Sequence, residues 1–146
     1  MRMAMMALVL LAGCSTVPAV APAGAPAPGE ERKWRAAGLV NYRYDFEQQC
    51  FCVEERRQPV TVEVRGGRVA RVTARATGRE VAQREDLRWY TVPELFERVA
   101  EARRNGVEPL TVTYDPQLGY PTRIEAGSLA ADAGIIYLAS NLRRLD

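Results

Sequence analysis

Apolar residues recur at every second position near the start of the charged part of the chain. Val40, Tyr42, Tyr44 and Phe46 alternate with Asn41, Arg43, Asp45 and Glu47. Successive side chains on a strand point to opposite faces, so this stretch predicts a half-buried strand with one aromatic face. Val60, Val62 and Val64 then alternate with Thr61, Glu63 and Arg65, and after Gly66-Gly67 the pattern resumes at Ala70, Val72 and Ala74. Two such runs around a glycine pair predict a hairpin. A two-residue Gly66-Gly67 loop would place Val62 opposite Arg71 and mix the faces. A three-residue loop, Arg65-Gly66-Gly67, places Val62 opposite Ala70 and Val60 opposite Val72, with Gly67 in the left-handed position of a bulged turn. The second register keeps one face apolar and is the one expected.

The period changes to that of a helix over residues 92–105. Val92, Leu95, Phe96, Val99 and Ala102 form one apolar stripe. Thr91-Val92-Pro93-Glu94 reads as a capping box with proline tolerated in the first turn. Arg103 and Arg104 lie near the negative end of the helix dipole, and Gly106 closes it. A shorter helix over residues 30–37, carrying Trp34, is expected to stop at Gly38. Strands then return. Leu110, Val112 and Tyr114 alternate, and the turn Asp115-Pro116-Gln117-Leu118-Gly119 leads into Tyr120, Thr122, Ile124 and Ala126. Residues 135–142 are apolar on both faces, which predicts a central strand. Strands, one helix and strands again define an α+β fold, an antiparallel sheet with one main helix packed on one face.

The first thirty residues follow neither period. Arg2 precedes an uncharged apolar run over residues 3–13. A membrane-spanning helix needs about 20 apolar residues, so the run has the length of a secretory signal instead. It ends in Leu11-Ala12-Gly13-Cys14, which resembles the lipobox of bacterial lipoproteins. That resemblance implies removal of residues 1–13 and acylation of the Cys14 thiol. An ordinary signal peptide cut after Ala12, with Cys14 an incidental thiol, is the alternative. In lipoprotein sorting, an aspartate just after the cysteine tends to retain the protein in the inner membrane, and serine does not. By that resemblance, Ser15 implies a lipid anchor in the outer membrane, facing the periplasm, if the source is Gram-negative. Residues 14–29 alternate proline with small residues and carry no charge. They are expected to be a semi-extended tether with a reach on the order of 45 Å. Residues 30–146 then form a single domain.

Composition narrows the chemistry. The 146 residues are 47% hydrophobic and 26% charged, which suits one ordinary globular domain. Twenty basic residues against eighteen acidic ones leave a net charge of +2, too balanced for a nucleic-acid binder. All the basic residues but Lys33 are arginine, spread through every element among glutamates, a pattern that fits a GC-rich genome better than a phosphate site. With no histidine, sites built on imidazole are excluded. No cofactor motif and no metal-ligand set is present. Asp45, Asp115 and Asp132 are the carboxylates that an acid–base enzyme would use. Strand surface, turn initiator and loop cap are the simpler roles for them.

If Cys14 is acylated, Cys50 and Cys52 remain. An even remainder in an exported protein suggests a disulfide between them. Residues two apart on an extended strand lie about 6.6 Å apart at Cα, near the upper end of what a bridge spans, so the pair needs a bulge or a turn. A reduced pair and redox or metal chemistry stay open beside it.

Several of these residues together resemble an uncharacterised bacterial family, catalogued as a domain of unknown function. They are Trp34, Tyr42-Arg43-Tyr44, Cys50-Phe51-Cys52, Gly66-Gly67, Val92-Pro93-Glu94-Leu95-Phe96 and the turn from Tyr114 to Pro121. The resemblance covers about residues 34–142. It implies export, often as a lipoprotein, and brings no catalytic residues. Near the end, Gly127 and Ala133-Gly134 stand where the family pattern suggests an acidic cluster, with Asp132 alone matching. The function expected is that of a non-catalytic binding module of the cell envelope, held to the membrane through Cys14 and meeting an envelope protein partner. The alternative is a thiol-redox or other envelope enzyme working at Cys50 and Cys52.

Overall fold

The computed structural model describes residues 28–146. The expected signal, the expected acylation site Cys14 and all but the end of the tether expected at residues 14–29 lie outside the described residues. In chain order the elements are α1 (Pro28–Ala37), β1 (Tyr42–Cys50), a single-turn α2 (Glu54–Arg57), β2 (Val60–Arg65), β3 (Arg68–Ala74), α3 (Val92–Arg104), β4 (Leu110–Tyr114), β5 (Pro121–Ala126), a 3-10 turn (Leu129–Ala131) and β6 (Ile135–Arg144). The six strands make one sheet in the order β3-β2-β1-β6-β5-β4. Every neighbouring pair is antiparallel. Two three-stranded meanders are thus joined where the first strand meets the last, and α3 links one meander to the other. The expected α+β architecture and the central last strand both hold.

The aromatic face of β1 explains this layering. Tyr42, Tyr44 and Phe46 are buried, and Val60, Val62, Val64, Val72 and Ile124 extend the same core across neighbouring strands. Both longer helices cover this face. From α1, Trp34 meets Tyr42 edge-on with ring centroids 5.2 Å apart. From α3, Val92, Leu95, Val99 and Ala102 are buried, and Phe96 stacks on Tyr114 at 6.2 Å. Edge-on and offset-stacked rings are the arrangements that aromatic quadrupoles favour. The opposite face of the sheet carries charged and hydroxyl pairs, among them Arg43 opposite Glu63 and Asp45 opposite Thr61.

The start of α3 is built as its sequence requires. The Glu94 amide donates to Thr91 Oγ1 at 3.4 Å, and the Thr91 amide donates to Glu94 Oε2 at 2.7 Å, so both halves of the capping box form. A further partner comes from the sheet. The Val92 amide donates to the buried Tyr42 hydroxyl at 2.9 Å, satisfying another of the helix's free N–H groups. Burial nevertheless pushes the Tyr42 hydroxyl up to about 12.

Four local expectations are corrected. First, α1 takes in Pro28 and Gly29, which the alternation of proline and small residues had assigned to the tether. Second, Val40 is 57% exposed and lies outside β1, because the chain is still leaving Gly38 and Leu39 when it passes that position. Third, the hairpin loop has two residues, Gly66 and Gly67, both at positive φ, with Arg65 opposite Arg68. The register is restored inside β3. Val69 faces Val64 and Arg71 faces Glu63, leaving Ala70 as an extra, exposed residue. That bulge brings Val62 opposite Val72 and Val60 opposite Ala74, so the apolar face survives by a bulge in the strand rather than by a longer loop. Fourth, Thr122 bulges in the same way between Pro121 and Arg123, so Tyr120, Pro121 and Ile124 are all buried and strict alternation is lost.

Candidate functional site

β1 continues past its aromatic residues. Gln48 occupies the next inward position after Phe46 and is 5% exposed. Its amide Nε2 donates to Cys50 Sγ at 3.1 Å and reaches Cys52 Sγ at 3.8 Å. The strand ends at Cys50, the chain bends through Phe51 and Cys52, and α2 opens just after Val53. The bend brings the Cα atoms of Cys50 and Cys52 to 5.3 Å, well inside the distance an extended strand would impose. The turn demanded by the sequence spacing is therefore present, and the two cysteines form a close pair. A bridge across so short a loop would stabilise the fold by only about 1.5 kcal/mol, about half of what a 15-residue loop gives.

The surroundings of the pair are apolar and open. Phe51 is 69% exposed and Val53 61%. With Leu129 and Ala130 of the 3-10 turn they line an open hollow of about 1150 Å³ that also includes Gln48, the two cysteines, Glu47 and Arg57. The part of the hollow lined by Leu129 and Ala130 depends on a tight loop after β5. A Cβ at Gly134 would lie 2.5 Å from the Leu129 amide nitrogen, so the backbone there closes up only because the residue is glycine. Where the sequence departs from its expected acidic cluster, the chain instead makes this close backbone contact. Arg56 of α2 donates to the Asp86 carbonyl, tying the cysteine end of the sheet to the segment before α3.

The carboxylates singled out in the sequence are not gathered into one site. Asp45 lies on the polar face of β1, accepting from Thr61 Oγ1 at 2.8 Å and Asn141 Nδ2 at 2.9 Å, with Arg75 at 3.6 Å. Partial burial raises its carboxyl, but these hydrogen bonds and the arginine charge outweigh that and hold it below its ordinary value. Asp115 initiates its turn, its Oδ1 accepting from the Gln117 and Leu118 amides at 3.0 and 2.7 Å. Asp132 follows the 3-10 turn in a left-handed conformation, φ 56°. Each performs the local role its position suggested. Among the described residues, no three His, Cys, Asp or Glu side chains are gathered as a metal would need.

Gln48 is the residue that sequence reading passed over. The signal was there, because period two places it on the same face as Tyr42, Tyr44 and Phe46. An amide at an inward position needs a partner, and here its Nε2 takes the cysteine sulfurs. Leu129 and Ala130 carry no such signal, since only the loop closure brings them to the cysteines.

A six-stranded antiparallel sheet, helices on one face and a cysteine pair set in an apolar hollow at the end of the first strand define the class of this domain. Residues 29–144 match the family described as "Family of unknown function (DUF6174)", and the chain belongs to that family. The resemblance carried by the paired cysteines and the tyrosine-to-proline turn is thereby borne out. No curated protein and no solved structure matches the chain.

Proposed function

We propose that this protein is a lipid-anchored binding module of the bacterial cell envelope, which holds a protein partner in the hollow beside Cys50 and Cys52. The observation that carries the reading is the pair Phe51 and Val53. Large apolar side chains standing in water at the rim of an apolar hollow mark a contact surface more often than an accident of packing. The anchor is supported by the lipobox at Cys14 and the uncharged proline-rich stretch behind it. A tether of tens of ångströms on a lipid raises the domain's effective concentration toward partners at the membrane.

A photoreactive amino acid placed at Phe51, in cells that express the full chain, tests the binding surface. A discrete crosslinked species is expected, weakened several-fold by Val53→Ser and absent when the same group replaces Ala70 in β3. Equal crosslinking from Ala70 would overturn the assignment of the surface.

A further inference from the structure

Resting on that reading of the hollow as a binding surface, we propose that the cysteine pair is a disulfide-exchange centre. It hands its disulfide to a polypeptide segment that carries two thiols and lies against Phe51 and Val53.

Three observations converge on this reaction. The sulfurs line an open hollow rather than a closed core, so an attacking thiolate can reach them. The rim residues that flank them, Phe51 and Val53, are exposed and apolar, which suits a partly unfolded chain whose cysteines sit among apolar residues. Gln48 Nε2, anchored on the buried face of β1, is nearer to Cys50 Sγ (3.1 Å) than to Cys52 Sγ (3.8 Å). An N–H donor stabilises a thiolate more than a neutral sulfur, and a stabilised thiolate leaves faster. The asymmetry assigns the roles. A substrate thiolate attacks Cys52 Sγ, the Cys52–Cys50 bond breaks, and its electron pair goes to Cys50 Sγ, held by Gln48. A mixed disulfide now joins substrate and Cys52. The second substrate thiolate attacks the substrate sulfur of that mixed disulfide and expels the Cys52 thiolate. The substrate dithiol is oxidised to a disulfide, the domain's disulfide is reduced to a dithiol, and the two substrate protons pass to the Cys50 and Cys52 thiolates or to solvent. Exchange is stoichiometric in the domain.

The full chain carrying Cys14→Ser, oxidised at Cys50 and Cys52, is mixed with three reduced probes: a ten-residue peptide with two cysteines among leucine and phenylalanine, the same peptide with serine and glycine at the apolar positions, and glutathione. Alkylation and mass spectrometry follow the loss of the domain's disulfide. The apolar dithiol peptide should react about tenfold faster per thiolate than either other probe, and Phe51→Ser with Val53→Ser should erase that preference. Gln48→Met should slow exchange with all three probes by on the order of tenfold, the effect of losing one hydrogen bond to an anion. Both rim substitutions are on the surface, so the preference remains measurable if Gln48→Met fails to fold. Equal rates for the three probes, or absence of a disulfide in the protein as isolated from envelopes, would overturn the exchange reaction. A separate arm uses the apolar peptide with both cysteines replaced by serine. If that peptide binds the hollow while the dithiol peptide is not oxidised, exchange fails and the binding surface stands; if it does not bind and no probe is preferred, both fail.

Discussion

Tyr42 joins sheet and helix through a single oxygen. Its ring is packed between Trp34 and Tyr44, and its hydroxyl accepts the Val92 amide at the first turn of α3. Tyr42→Phe keeps the ring and orphans a buried N–H, which costs about 1–3 kcal/mol. The expected result is a lower urea midpoint with an unchanged slope; an unchanged midpoint would mean that water takes over the bond. Glu94 is a second such residue. Partial burial raises its carboxyl, but the Thr91 amide, the Arg88 guanidinium at 2.5 Å and the Thr91 hydroxyl outweigh burial and hold it below its ordinary value. A carboxyl with a depressed folded pKa binds fewer protons folded than unfolded. Its stabilising contribution is full above the unfolded value, about 4.3, and is lost as pH falls through the folded value. Glu94→Gln should therefore weaken the protein at neutral pH and flatten the fall of stability below about pH 4. Denaturation midpoints at several pH values check this, and parallel curves for the two proteins would refute it.

Among the elements, the turn after β4 shows how a local motif serves a distant contact. Asp115 and Pro116 start it, and Gly119 ends it at φ 75°. Gly119 also receives α1: a Cβ there would lie 2.2 Å from the Glu30 carbonyl oxygen and 2.9 Å from Lys33 Cβ. Gly119→Ala meets both a left-handed backbone and a backbone clash, so it should destabilise by at least about 2 kcal/mol. Increased hydrogen exchange in α1, ahead of the central strands, is the signature expected. Uniform loss of protection across the sheet would show that α1 does not move first. The turn chemistry was readable from Asp-Pro and the glycine, whereas the requirement for bare backbone toward α1 was not. The hairpin gives the complementary case. Gly66-Gly67 announced a turn, and the valines announced an apolar face, but the choice between a longer loop and a bulge at Ala70 depends on twist and on the fit of β2 to β1. Those are properties of the assembled sheet.

For the whole molecule, the proposed anchor at Cys14 would leave one end of the sheet facing its surroundings. Cys14→Ala should abolish incorporation of a fatty-acid analogue and release the chain from the membrane fraction, with its folded domain intact by circular dichroism. Label that persists in Cys14→Ala would sink the anchor. Surface ion pairs contribute little to this picture. Pairs such as Arg71–Glu80 and Arg84–Asp86 are largely exposed, and such pairs stabilise by about 0–1 kcal/mol each at most. Stability is therefore expected to rest on the aromatic core and to change little with salt.

Features that depend on neighbours a few residues away were legible along the chain. Alternation defined β1, β2 and β4, and a run apolar on both faces defined most of β6. The stripe and capping box defined α3 nearly to the residue, and the Asp-Pro turn was placed correctly. These features arise from backbone periodicity and local hydrogen bonding, which a short window contains. The cysteine spacing likewise required a bend, and the bend is there. The remaining features depend on contacts between segments far apart in the chain. Pairing of β1 with β6 closes the two meanders into one sheet. The Ala70 and Thr122 bulges adjust register to neighbouring strands. Tyr42 caps a helix fifty residues away. The hollow itself needs Gln48 from β1 and Leu129 from a loop near the other end of the chain, and no local pattern encodes that meeting, because it is fixed by how a twisted sheet and its covering helices pack.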